Sequence, residues 1–284
     1  MTNTSNSRST SNWSDLPFDL LLYIISMVSL TDKLTVITEV CKSWRAAVAS
    51  DMESFKTLDI RKMRQYLELS KPGVHNFPQL TLAYVRALEL GGSNVTKLVF
   101  DAQFQVSDND LQYAYERCPN LRELAITFPN KTTSVELKKA FQFWPNLESL
   151  SIEFTTYFHP PETIFHIVGI HCLNLRTLEF SCCVINKATL HTITDLMPRL
   201  KVLRVRRSMV MAYVDDVVES FSKMPSLEEV YVSILKYSTV PKLPDYQDLP
   251  AKIEEGRSRN GLSGLRVFHA CYCEECKCDL DPET

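Results

Sequence analysis

The sequence predicts a mixed α/β chain: a block of three short helices followed by a short solenoid of stacked units, with parallel strands on its concave face and helices on its convex face. Two observations carry this. A leucine-bearing phrase returns at near-constant spacing through the C-terminal part of the chain, and an apolar helical pattern of a different kind precedes it. Composition agrees: 45% of the 284 residues are hydrophobic and 23% charged, close to soluble globular averages, which excludes disorder throughout. Lys and Arg total 31 against 34 Asp and Glu, so the balance gives no general drive toward nucleic acid or an anionic membrane. Seven glycines, with Gly91-Gly92 the only adjacent pair, leave no Gly-rich phosphate cradle, and no nucleotide or other cofactor is expected.

In chain order, residues 1–12 are polar and read as a disordered tail rather than an export signal. Nine cysteines, an odd number, then read as reduced thiols in cytoplasm or nucleus. The block 13–55 begins with Trp13 and Leu16-Pro17. Pro17 suits the first turn of a helix and Asp19 its positive end. Leu20, Ile24 and Val28, with Leu21 and Ile25 beside them, form a broad apolar stripe. Thr31-Asp32 reads as the next helix start, leading to Leu34, Val36 and Ile37. A third helical stretch carries Val40-Cys41-Lys42-Ser43-Trp44-Arg45 and ends near Ser50-Asp51; Val40 and Trp44 are expected to pack internally. Three short helices apolar on more than one side cannot bury everything among themselves, so part of this surface calls for a partner.

Residues 56–94 read as a linker with a degenerate first repeat at Leu58-Asp59-Ile60. The regular repeats occupy 95–235. The phrase Pro119-Asn120-Leu121-Arg122-Glu123-Leu124-Ala125-Ile126 returns at Pro145, Leu173, Pro198 and Pro225. Its first leucines (121, 147, 175, 200, 227) step by 26, 28, 25 and 27 residues, inside the range of about 20–29 residues for leucine-rich repeats. Weaker copies stand at Val95–Phe100 and Leu265–Ala270. Between copies, Leu111, Leu137, Phe165, Leu190 and Val217 recur seven residues before each helix-ending position, marking one buried helix face. Proline after four of these positions ends the helix. Neither element buries its apolar face alone, so the units must stack.

Alternation within each strand sends Leu124 and Ile126 inward and Glu123, Ala125 and Thr127 outward. Carried through the copies, the outward sets include Lys97/Val99/Asp101, Ser151/Glu153, Glu179/Ser181, Arg204/Arg206 and Tyr231. This face, with Glu153, Glu179, Arg204, Arg206 and Tyr231 as candidate contacts, reads as protein-binding; Arg204, Arg206 and Arg207 are candidates to meet a phosphorylated residue. Glu179 and Arg204 are alternatively only a cross-strand ion pair. The stretch 236–264, with Pro241, Pro244 and Pro250, breaks the period and reads as an insertion loop, a lip beside the concave face. Residues 265–284 hold the last repeat and an acidic, Cys-rich tail; Cys271, Cys273, Cys276 and Cys278 crowd four thiols into eight residues, unlike the paired knuckles of structural zinc sites, so no metal is assigned. No nucleophile has a partnered base at readable spacing, so no catalytic residue is named.

Leu16-Pro17, the Leu20/Leu21/Ile24 stripe, Leu34 and Val40-Cys41-Lys42-Ser43-Trp44-Arg45, with Phe55 trailing, resemble the F-box. Many members carry a proline where this chain has Ser29-Leu30. With the repeats behind it, the chain is similar to F-box/leucine-rich-repeat proteins. That resemblance implies a non-catalytic substrate receptor of a Skp–cullin–F-box ubiquitin ligase. Its partners would be a Skp-type adaptor, through it a cullin–RING core, and a protein substrate of unknown identity, with neither nucleic acid nor membrane. Adaptor contact is then expected from Leu16, Pro17, Leu20, Ile24 and Leu34. The alternatives are a scaffold that engages no ligase, or a GTPase-regulating solenoid using Arg204 or Arg206 as a finger.

Overall fold

A computed structural model describes residues 13, 16–70, 77–128, 131–155, 161–236 and 248–273. The N-terminal tail and the C-terminal part of the cysteine cluster lie outside the described residues.

Three helices come first: α1 (Phe18–Ser26), α2 (Leu30–Thr35) and α3 (Lys42–Ser50), with a short 3-10 turn at Ile37–Glu39. The second starts earlier than Thr31, because Ser29 is its cap: the Ser29 hydroxyl accepts from the Asp32 N–H at 3.1 Å. Leu21 and Ile25 of α1 are buried together with Trp44, Ala47 and Val48 of α3. Val40, expected inside, is half exposed; it follows the 3-10 turn, outside the helical register that turns Trp44 inward.

Behind this block, β1 (Thr57–Asp59) opens a parallel sheet continued by β2 (Lys97–Val99), β3 (Glu123–Phe128), β4 (Ser149–Phe154), β5 (Thr177–Ser181), β7 (Val202–Val210), β8 (Glu229–Lys236) and β9 (Arg266–Cys273). The two-residue β6 (Val184–Ile185) pairs with the far end of β7. One ladder runs through Leu58, Leu98, Leu124, Leu150, Leu178, Leu203, Val230 and Val267, aligning the repeat phrases in the register their sequences set. Helices α6 (Asp108–Arg117), α7 (Ser134–Phe143), α8 (Glu162–His171), α9 (Lys187–Leu196) and α10 (Val214–Ser222) follow successive strands. Their Leu111, Leu137, Phe165, Leu190 and Val217 are all buried. Local chemistry fixes the helix starts: Ser107, Thr133 and Asn186 each cap a helix through a side-chain oxygen. Trp144, buried at a helix end, donates its indole N–H to the Cys118 carbonyl one repeat back at 2.9 Å.

Two more helices, α4 (Ile60–Ser70) and α5 (Phe77–Gly91), join the block to the sheet. Arg86 of α5 donates to the Leu34 carbonyl at 2.8 Å and pairs with Glu39. Phe55 is buried against Gly91, where a Cβ would lie 2.2 Å from the Phe55 ring, so only glycine permits this approach.

Two further expectations do not hold. The stretch read as an insertion loop contains α11 (Leu249–Arg259), packed on α10 in the helical layer rather than as a lip over the open sheet face. Pro250 sits in the first turn, where proline is tolerated, and Leu249, Ile253 and Arg257 recur every fourth residue and are buried. Residues 237–247 lie outside the described residues. The Arg257 guanidinium donates to the carbonyls of Phe221 (3.1 Å), Met224 (2.8 Å) and Leu227 (3.1 Å), which is why a charge is tolerated inside. Second, Val99 and Asp101, assigned outward, are buried; α4 lies against the first strands and pairs its Arg64 with Asp101 at 3.0 Å.

Candidate functional site

The N-terminal block presents an apolar surface that the other described residues leave uncovered. With Leu21 and Ile25 turned inward, Leu20, Tyr23 and Met27 share the opposite side of α1 at i, i+3 and i+7, and they are 48, 65 and 65% exposed. Phe18 at the start of α1, and Val36 and Val40 around the 3-10 turn, are exposed as well. Side chains of this size on one short helical block are the kind of patch that marks an interaction site.

The five residues expected to contact an adaptor are divided by the fold. Pro17 and Leu20 are exposed. Leu16 and Ile24 are half-buried and lean on the core. Leu34 is fully buried, because α2 packs on α5 and α4 and has no free side there. Tyr23 and Met27, exposed on the same side as Leu20, were not among the residues expected there. Their signal was the four-residue spacing of Leu21 and Ile25: once that pair is taken as the inward face, the outward one follows from helix geometry.

Within the N-terminal block, a largely buried charge pair ties α2 to the end of α3. Lys33 donates to Asp51 at 2.6 Å and to Ser54 at 2.9 Å. Burial pushes the Asp51 carboxyl up, but the hydrogen bonds from Lys33 and Ser54 outweigh it and hold it below the ordinary range. At the start of α3, half-exposed Cys41 has its thiol pKa lowered, chiefly by the Ser43 hydroxyl and by the Trp44 N–H.

The second surface is the open sheet face. The register sets Glu179 beside Arg204 and Arg204 beside Tyr231. The ion pairs run diagonally instead: Glu179 binds Arg206 at 3.1 Å, Arg204 approaches Glu229 at 4.0 Å, and Arg207 approaches Glu153 at 3.7 Å. The Arg206 guanidinium lies 5.9 Å from the centroid of the Tyr231 ring, within cation–π range. A bulge between Val205 and Ser208, with Arg207 at φ +43°, directs that side chain outward. All five residues singled out from the sequence therefore gather on four neighbouring strands, and each of the three arginines faces a carboxylate.

Fold and surfaces together define a repeat solenoid joined to a helical block with an exposed apolar side. Residues 13–56 match the F-box domain. An F-box/LRR-repeat protein of Arabidopsis thaliana is 28% identical over 236 residues, spanning 73% of this chain and 75% of that protein. F-box/LRR-repeat protein 9 of the same plant is 28% identical over 201 residues, spanning 69 and 78%. The chain is thus similar in make-up to the F-box/LRR-repeat proteins: a segment that matches the F-box domain, followed by leucine-rich repeats. Among solved structures, the leucine-rich repeat-containing protein LegL7 from Legionella pneumophila aligns at TM-score 0.37 and 10% identity, covering 68% of this chain and 69% of its own. The Rad7 and Elc1 complex of yeast gives 0.33 and 12%, covering 89 and 79%. Both likenesses are too loose to carry an argument.

Proposed function

We propose that this protein is the substrate-recognition subunit of a Skp–cullin–F-box ubiquitin ligase: the F-box docks a Skp-type adaptor, and the repeats present a protein substrate for ubiquitylation by the attached cullin–RING core. The observation that carries the reading is the uncovered Leu20–Tyr23–Met27 side of α1 within a segment that matches the F-box. The chain's own role is binding; transfer chemistry belongs to the partners. Substrate contact is assigned to Glu153, Glu179, Arg204, Arg206 and Tyr231, which would exchange internal pairs for partner contacts. Pairing of Arg204 and Arg206 with glutamates disfavours a finger aimed at a GTPase. The setting is cytoplasmic or nuclear, checked by fractionation. Affinity capture of the intact chain should retrieve adaptor and cullin together. Capture of the adaptor without cullin would leave a scaffold, and capture of neither would end the ligase reading.

A further inference from the structure

On the open face a pocket of about 260 Å³ lies between α4 and strands β2 to β4. Its floor is low because the outward residues there are small: Ala125, Thr127 and Ser151. Arg61 and Arg64, three residues apart on α4, form one wall, and Glu153 stands at the far rim. Hydrogen-bonding commitments decide what fits. Asp101 is spent: one carboxylate oxygen accepts the Gln103 N–H at 2.7 Å and the other faces Arg64 Nε at 3.0 Å. Arg64 gives Nη1 to Glu68 at 2.7 and 2.8 Å, while its buried Nε makes no hydrogen bond of good geometry among the described residues. Arg61 is 56% exposed and, among the described residues, has Asp59 as its ion-pair partner, at 3.5 Å, a carboxylate that already accepts from the Lys62 N–H.

The capacity left over at this wall is therefore donor capacity. From it we infer that the α4 pocket takes one acidic side chain of the substrate, a carboxylate or a phosphoryl group, held by the Arg61 guanidinium. Guanidinium forks suit both groups, and the volume admits a side chain the size of glutamate. A cationic guest is disfavoured, since Glu153 would have to leave Arg207 and the cation would face two arginines. The inference rests on the receptor reading above. It moves acid recognition away from Arg204, Arg206 and Arg207, each of which faces a glutamate, to a helix that contains no repeat phrase.

The test uses the full-length chain and an immobilised peptide library with degenerate flanks and a central Glu, phosphoserine, Gln or Lys. The wild type is expected to retain Glu or phosphoserine peptides about tenfold over Gln, the scale of a charge-assisted hydrogen bond. Retention of phosphoserine alone would identify the phosphoryl source; equal retention of Glu would show that a carboxylate suffices. Arg61→Gln should flatten the preference and Arg61→Glu should invert it toward Lys, a reversal that misfolding would not produce. Preference of the wild type for Lys, no discrimination between Glu and Gln, no library binding, or an unchanged preference in Arg61→Glu would each overturn the inference. Adaptor capture measured on the same samples keeps the two claims apart: its loss in the wild type defeats the ligase reading without touching the pocket.

Discussion

Removing the carboxylate beside Lys33 should weaken the N-terminal block more than any exposed ion pair in the molecule. Lys33 is 3% exposed and Asp51 20%, and the ammonium has Asp51 and Ser54 as its hydrogen-bond acceptors. Breaking a buried pair from one side costs about 3–5 kcal/mol, because the surviving charge is stranded. Water reaches Asp51, which places Asp51→Ala near the lower end, about 3 kcal/mol. Against a total stability of about 5–15 kcal/mol that is a large loss. Replacing both partners, with Lys33→Met and Asp51→Ala together, should return to within about 1 kcal/mol of wild type, since no charge is left behind. Urea unfolding of the four proteins measures the coupling. Acid supplies an independent check. The Asp51 carboxyl is held below its ordinary range in the folded chain, so its contribution is fully present above the unfolded value of about 3.9. That contribution is lost as pH falls through the lower folded value. The gap between wild type and Asp51→Asn should hold from about pH 7 to 5 and close below about 4. A double variant no more stable than Asp51→Ala, or a gap that widens in acid, would refute the reasoning.

Gly91→Ala should destabilise by about 2 kcal/mol or more, the range for forcing an extra carbon into a packed site, with part recovered by Phe55→Leu; thermal unfolding reads both. Arg206→Ala should cost less than about 1 kcal/mol, as partly exposed ion pairs do, yet reduce substrate capture, so a stability loss without a capture defect would remove Arg206 from the binding face. Under limited alkylation followed by mass spectrometry, Cys41 should react well before Cys118, Cys172 and Cys183. Burial pushes those three thiols up to about 12, while Cys41 is half-exposed and lowered.

Much of the sheet was readable because each repeat states its register in its own leucines: Leu124, Leu150 and Leu178 align in space as they align in sequence. The helix starts are set just as locally, by the caps Ser107, Thr133 and Asn186, although none of the three was named as a cap from the sequence. What escaped depends on distant segments. Leu34 is inside because α5, some fifty residues later, covers it, and no local pattern announces that. Val99 and Asp101 face outward by alternation yet are buried, because α4 comes from a stretch without the repeat phrase. The α11 helix was obscured by prolines that signal a loop, although its Leu249, Ile253 and Arg257 already showed helical spacing. On α1 the stripe was seen, but outward Leu20 was grouped with Leu21 and Ile25, which belong to the core, and Tyr23 and Met27 on the side of Leu20 were left out of it.

The most direct test is calorimetric titration of a purified Skp-type adaptor into the full-length chain and into a Leu20→Asp, Tyr23→Ala, Met27→Asp variant whose circular dichroism matches wild type. Each of these side chains is worth about 1.5–3 kcal/mol when fully buried, so the variant should bind about a thousandfold more weakly or not at all, while Arg206→Ala titrates like wild type. Undiminished adaptor binding by the folded variant would contradict the assignment of α1 as the docking surface.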